Sequence, residues 1–172
     1  MKARLIIAIL AITVAGLLAN ATDAQDVRDL AKANGYKPTK RVVLAITTAA
    51  HRYHIDPVEL TAIGIMETGL GKNTHERLNP DGTVDKGLFQ INTKNQQTCK
   101  EYNLNNEEGS AHCAAKLLSR IKRQRTDYLG VYHSKTPKYK NIYLKRVSRI
   151  LLFHTQSKGI VFDYNLTTRS KV

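Results

Sequence analysis

Proline and glycine are not in excess, at 4 and 10 of 172 residues, and no internal repeat or low-complexity tract is present. Hydrophobic residues at 42% and charged residues at 24% are ordinary globular values, so wholesale disorder is excluded. A chain of this length can bury one sizeable core but not two. Acid is scarce, with 14 Asp and Glu against 27 Lys and Arg, a formal charge of +13. Such an excess favours a polyanionic partner or surface without identifying it. Metal-ligand patterns are missing too. His51 and His54 do not form an HExxH pair, the other four histidines are scattered, and Asn79 to Asp85 does not match an EF-hand loop. No metal and no cofactor are therefore expected.

What is present begins with a leader. Lys2 and Arg4 precede the uncharged run Leu5 to Leu18, and Ala19-Asn20-Ala21 follows as a small-x-small site, the three-part layout of a secretory signal peptide. Fourteen apolar residues make about 21 Å of helix, short of the roughly 30 Å hydrocarbon core, and no cysteine stands near the site to accept a lipid. Cleavage after residue 21 is expected, with an exported product, periplasmic or secreted. Loss of Lys2 and Arg4 lowers the charge by two and leaves it strongly basic. Export suits pairing of the two cysteines, Cys99 and Cys113, because oxidising compartments favour disulfides. Closing a loop of that length stabilises by about 3 kcal/mol in the chain-entropy account.

Residues 22–38 are polar with breakers at Asn34-Gly35 and Pro38, and read as a mobile lead-in with one short helix. From residue 39 to about 55, Val43, Ile46, Ala50 and Tyr53 share a helical face. Asp56, Pro57 and Glu59 then stand at cap, first-turn and capping-box positions. The segment Leu60 to Met66 is apolar nearly all round, which marks a buried central helix, and Glu67 follows at its end before Gly69 and Gly71. Burial there favours the neutral carboxyl and raises its pKa; a Glu that simply reaches solvent is the commoner case. Residues 69–86 read as a loop or short hairpin around Asn79-Pro80-Asp81-Gly82. Ala114, Leu117, Leu118 and Ile121 form another helical stripe, Asp127 to His133 a short helix, and Pro137 opens a long one striped by Tyr139, Tyr143, Val147, Ile150, Leu151 and His154. A basic polar tail covers 158–172.

Three blocks stand in order on these elements: Glu67-Thr68-Gly69, then Gly87-Leu88-Phe89-Gln90-Ile91-Asn92, then Val131-Tyr132-His133 with Tyr143 on the last helix. Together they resemble the soluble lytic transglycosylase family over residues 40–155, being similar to its Glu-Ser-Gly, its Gly-Leu-Met-Gln-Ile and its Ala-Tyr-Asn followed by a tyrosine. The resemblance implies a mainly α, lysozyme-like single domain over 39–157 with a short hairpin region. It also implies cleavage of the bond between N-acetylmuramic acid and N-acetylglucosamine in peptidoglycan, with Glu67 as acid and then base. Thr68, Phe89, Gln90, Asn92, Tyr132, His133 and Tyr143 would meet the substrate or flank the acid, Phe89 as apolar wall and Tyr143 ahead of Tyr132. Thr68 for Ser and Phe89 for Met are mild departures. His133 for Asn is a larger one, since a histidine can become cationic near pH 6.5 and favour Glu67 as an anion.

Two rivals remain. A hydrolytic lysozyme needs a second carboxylate about 5–9.5 Å from the first, for which Asp81 and Asp85 are the candidates, although Asp81-Gly82 is also an ordinary turn pair. A non-catalytic basic envelope-binding protein would use Lys116, Arg120, Lys122, Arg123 and Arg125 with Lys135, Lys138, Lys140, Lys145, Arg146 and Arg149. Export argues against nucleic acid as the natural ligand. The expected partner is the glycan strand, met by a monomer, with recruitment by a secretion or conjugation assembly compatible with the sequence and wall remodelling equally so.

Overall fold

A computed structural model describes residues 21–157, with side chains described through residue 152. The expected leader, except Ala21, and the expected tail at 158–172 lie outside the described residues. In chain order the elements are α1 (residues 21–33), α2 (Lys40–Tyr53), α3 (Pro57–Thr68), β1 (Arg77–Leu78), β2 (Val84–Lys86), β3 (Ile91–Asn92), a 3₁₀ turn (Thr93–Asn95), α4 (Glu107–Lys122), α5 (Tyr128–His133) and α6 (Pro137–Ser157). The expected mainly helical, single-domain, lysozyme-like architecture is what forms.

The core gathers on α3. Leu60, Thr61, Ala62 and Ile63 are completely buried, as a helix apolar on all sides must be. Asp56 caps its start by accepting from the Val58 N–H at 2.8 Å, with Pro57 in the first turn. The capping box does not close. Glu59 instead turns to α4 and α5, accepting from Lys122 Nζ at 3.1 Å and from the Tyr128 hydroxyl, because a nearly buried carboxylate gains more from an ammonium and a phenol than from one backbone N–H.

Residues 22–38 contain the expected short helix, α1, but are more than a lead-in. Val27, Leu30 and Ala31 lie on one face of α1 and are completely buried, so the segment packs into the core rather than leading up to it. The polar majority of that helix faces water, and three apolar residues at i, i+3 and i+4 suffice to dock it. Beyond it, the Tyr36 ring lies so close to Gly69 that an added Cβ there would stand 2.7 Å from Cε1. The chain before residue 39 thus buttresses the end of α3.

α2 starts on Thr39, which accepts from Val42 N–H at 3.2 Å, and ends on left-handed His54. Val43, Ile46 and Ala50 are buried as expected. On α4 the seam runs through Ala111, Ala114, Ala115 and Leu118, all completely buried, with Leu117 and Ile121 half-buried at its edge. Cys99 and Cys113 are disulfide-bonded, tying α4 to the loop after the 3₁₀ turn. On α6, Tyr143, Val147, Ile150 and Leu151 face the core. Tyr139 does not; it is 56% exposed, because it lies at the flank of that stripe. His154 is beyond the described side chains.

The hairpin region is a three-stranded antiparallel sheet in the order β1-β2-β3. Leu78 pairs with Val84, Arg77 with Asp85, Asp85 with Asn92 and Lys86 with Ile91. Asp81 shapes the first turn by accepting from Thr83 N–H at 3.1 Å and its hydroxyl at 2.6 Å, with Lys94 Nζ at 2.5 Å.

Candidate active site

Gly69 ends α3 in the left-handed conformation, φ +62°, and so stops the helix immediately after Glu67-Thr68. Glu67 stands where the buried helix meets the hairpin and α6. Its carboxyl is held by one described hydrogen bond, from the Tyr143 hydroxyl to Oε1 at 2.7 Å. Burial pushes its pKa from an ordinary 4.5 to about 7; the Tyr143 bond and the positive charge of Arg77 oppose this, and the negative charge of Asp85 adds to it. Desolvation wins because no cation touches the carboxylate. The result is a carboxyl that is half protonated near neutrality, the condition a general acid requires.

The turn after β2 forms the wall facing this acid. Gly87 has φ +71°, and a Cβ there would stand 2.0 Å from the Leu104 carbonyl oxygen, so only glycine fits. Ser110 of α4 accepts from Phe89 N–H at 3.1 Å, and the Phe89 ring packs on Gly64 of α3. Phe89 is completely buried. It is therefore core behind the site, not the sugar-facing wall expected, because its ring packs on Gly64 while its N–H and carbonyl are taken by Ser110 and Tyr132. Thr68 is likewise 2% exposed, its hydroxyl donating to the Leu88 carbonyl at 2.7 Å and accepting from Gly71 N–H at 3.1 Å. This hydroxyl fastens the end of α3 to the turn. The Asn92 amide is also spent, donating to Thr83 Oγ1 and Asp85 Oδ1, each at 2.8 Å, and accepting from Lys94 N–H at 2.9 Å. Thr68, Phe89 and Asn92 build the site; they do not line it.

Gln90, Tyr132, His133 and Tyr143 are the expected residues that the fold leaves at the cleft. Gln90 is left-handed, φ 45°, and half-buried. Its Nε2 donates to the Gly87 carbonyl at 3.1 Å and the His75 carbonyl at 3.4 Å, leaving Oε1 for a ligand. Tyr132 donates to the Phe89 carbonyl at 3.1 Å, tying α5 to the turn without touching Glu67. His133 lies flat on Tyr143, ring centroids 4.6 Å apart and planes 3° from parallel. One face of its ring is thereby removed from water, and this desolvation, with Arg77 and then Arg146 against Asp85, moves its pKa down. The downward shift disfavours the cationic form considered from sequence, and the ring meets the acid's partner Tyr143 rather than Glu67 itself. Burial and the Glu67 charge hold both tyrosines well above pH 10, so each remains a donor.

Arg77 and Asp85 are charges that sequence reasoning left out of the catalytic set or placed only in the rival one. Cross-strand neighbours in the sheet, they act on Glu67 with opposite sign. Their pairing depends on hairpin register, which no local motif carries. Among the described residues no cluster of three or more His, Cys, Asp or Glu could hold a metal ion.

A family model described as Transglycosylase SLT domain matches residues 45–134. The match takes in α3 with Glu67, the sheet, α4 and α5, and stops short of α6. No curated protein matches the chain.

Proposed function

The chain belongs to the transglycosylase SLT domain family, whose activity is lytic cleavage of peptidoglycan, and from that premise we propose that it cuts the bond between N-acetylmuramic acid and N-acetylglucosamine with a 1,6-anhydro product. The observation that carries this reading is the Glu67 carboxyl: buried, raised to about 7 and bonded to one phenol. The neutral carboxyl donates its proton to the glycosidic oxygen as the C1–O bond breaks and positive charge develops at the ring. The resulting carboxylate takes the proton of the muramyl C6 hydroxyl while O6 bonds to C1. Glu67 ends as it began and no water is consumed. The two halves need a carboxyl whose pKa lies between those of strong and weak acids, which desolvation supplies.

Tyr143 holds Oε1 so that the other oxygen can face the substrate, and its donated hydrogen bond stabilises the negative charge as the carboxylate forms. Gln90 Oε1 and the His133 ring would bind the sugars on either side. The leader headed by Lys2 and Arg4 supports a periplasmic or secreted setting, where the polymer is.

A hydrolytic outcome has one observation in its favour, the charge of Asp85 acting on Glu67. Against it, Asp85 Oδ1 is engaged by Asn92. Mass spectrometry of fragments released from purified peptidoglycan separates them. The expected products carry 1,6-anhydromuramyl ends and vanish with Glu67→Gln. Reducing ends that vanish with Asp85→Asn would replace this reading with hydrolysis. Release unaffected by Glu67→Gln would remove the acid from its role.

A further inference from the structure

α6 has two faces, and the catalytic reading uses one of them. Tyr143, Val147, Ile150 and Leu151 point inward. At 3.6 residues per turn, Lys138, Ile142, Lys145, Arg149 and Leu152 fall within an arc of about 80° on the opposite side. The three basic residues are exposed, Ile142 is 44% and Leu152 42% exposed, and Tyr139 flanks the arc at 56%. None of Lys138, Lys145 and Arg149 forms an ion pair with a described residue. Inward-turned Lys140, by contrast, pairs with Asp127 at 2.6 Å. From residue 128 to 162 the sequence contains no Asp or Glu at all, so nothing on this helix offsets the positive face.

We propose that the outer face of α6 is a docking surface for an anionic lipid bilayer. A polyanion in solution asks for charge alone. Here cations alternate with exposed Ile142, Leu152 and Tyr139 along four turns, the arrangement by which a surface helix lies in the headgroup region with its apolar side chains in the acyl boundary and its ammonium and guanidinium groups on phosphates. Tyrosine is suited to that boundary because its ring is apolar and its hydroxyl wet. The inner face of the same helix carries Tyr143 to Glu67, and a helix with its side chains is about 10 Å across. A docked molecule would therefore hold its cleft close to the bilayer surface. The surface itself stands apart from the catalytic reading.

Sedimentation with vesicles tests it, using the chain without its leader. Vesicles of equal parts phosphatidylglycerol and phosphatidylcholine should carry the protein down, and phosphatidylcholine alone should not. Lys138→Gln/Lys145→Gln/Arg149→Gln should weaken binding on the order of a hundredfold. Tyr139→Ser/Ile142→Ser, which keeps every charge, should weaken it roughly tenfold. Both variants should melt like the parent and release the same fragments from peptidoglycan in detergent, which separates failure of the surface from failure of the enzyme. No pelleting with anionic vesicles overturns the proposal. So does full retention by the Tyr139→Ser/Ile142→Ser variant, which would assign the face to an acidic polymer or protein.

Discussion

The two ends of α3 each carry a glutamate shielded from water, eight residues apart, and they do different work. Glu59 is 8% exposed and meets both an ammonium, Lys122 Nζ at 3.1 Å, and the Tyr128 hydroxyl. Lys122 in turn lies 4.8 Å over the Tyr128 ring, so the first turn of α3 is tied to the end of α4 and the start of α5. Glu67 meets one phenol and no cation in contact. Burial is common to both; the partner decides. A carboxylate given a lysine is a fastener, and one given a tyrosine alone has its pKa raised to about 7, the property an acid–base role requires.

The comparison is broken most severely at Glu67. Glu67→Gln should lower kcat by about 10²- to 10⁴-fold, the usual contribution of a general acid–base group, measured by release of soluble fragments from peptidoglycan. The same variant should be more stable than the parent at high pH. Because the folded pKa lies above the unfolded one, the folded state binds the extra proton between about 4.5 and 7. Parent stability therefore declines as pH rises through that window. The advantage of Glu67→Gln should be absent at pH 4 and reach about 3 kcal/mol at pH 8, read by urea denaturation at the two values.

Glu59→Gln sharpens the contrast from the other end. It leaves the Tyr128 hydroxyl and Lys122 with a poorer acceptor in a half-buried place, and should cost about 1–3 kcal/mol of stability while kcat at 25 °C stays near the parent value. A large loss of kcat without loss of stability would show the two carboxylates to be alike after all. Tyr143→Phe removes the group that lowers the Glu67 pKa. The alkaline limb of the rate profile should move to higher pH and kcat should fall about tenfold, about the effect of one lost hydrogen bond to a charged group. The smallest effect is expected of His133→Asn. His133 stacks on Tyr143 without bonding to Glu67, and its pKa is moved down, so the substitution should shift the profile less than Tyr143→Phe does; an unmoved profile would remove His133 from the acid's surroundings.

Much of this arrangement was legible in the chain. The apolar run before Glu67, the cap at Asp56-Pro57 and the glycine that ends the helix are local signals, and they put Glu67 at the end of a buried helix, where the structure has it. Export chemistry suggested the Cys99–Cys113 pair. What could not be read depends on how elements meet. That Glu59 would leave its capping box for Lys122, 63 residues on, follows from packing of α3 on α4. Phe89 and Asn92 lie in a block that contains left-handed Gly87 and Gln90, and which of its side chains turn to the core depends on that backbone and on the α4 and α5 side chains that meet it. α1 looked too polar to belong to the domain, because a docking stripe of Val27, Leu30 and Ala31 is narrow against a charged background. The charge of Arg77 acts on Glu67 from β1, which the pairing of Arg77 with Asp85 of β2 holds in place.

The central claim is that burial with a single phenolic partner leaves Glu67 protonated near neutrality, and it can be tested directly. The titration of the Glu67 side-chain carboxyl carbon by NMR, assigned by its absence in Glu67→Gln, should show a midpoint near 7. A midpoint near the ordinary 4.5 would mean that the carboxyl is solvated or ion-paired in solution, and would contradict the account of how this site makes an acid.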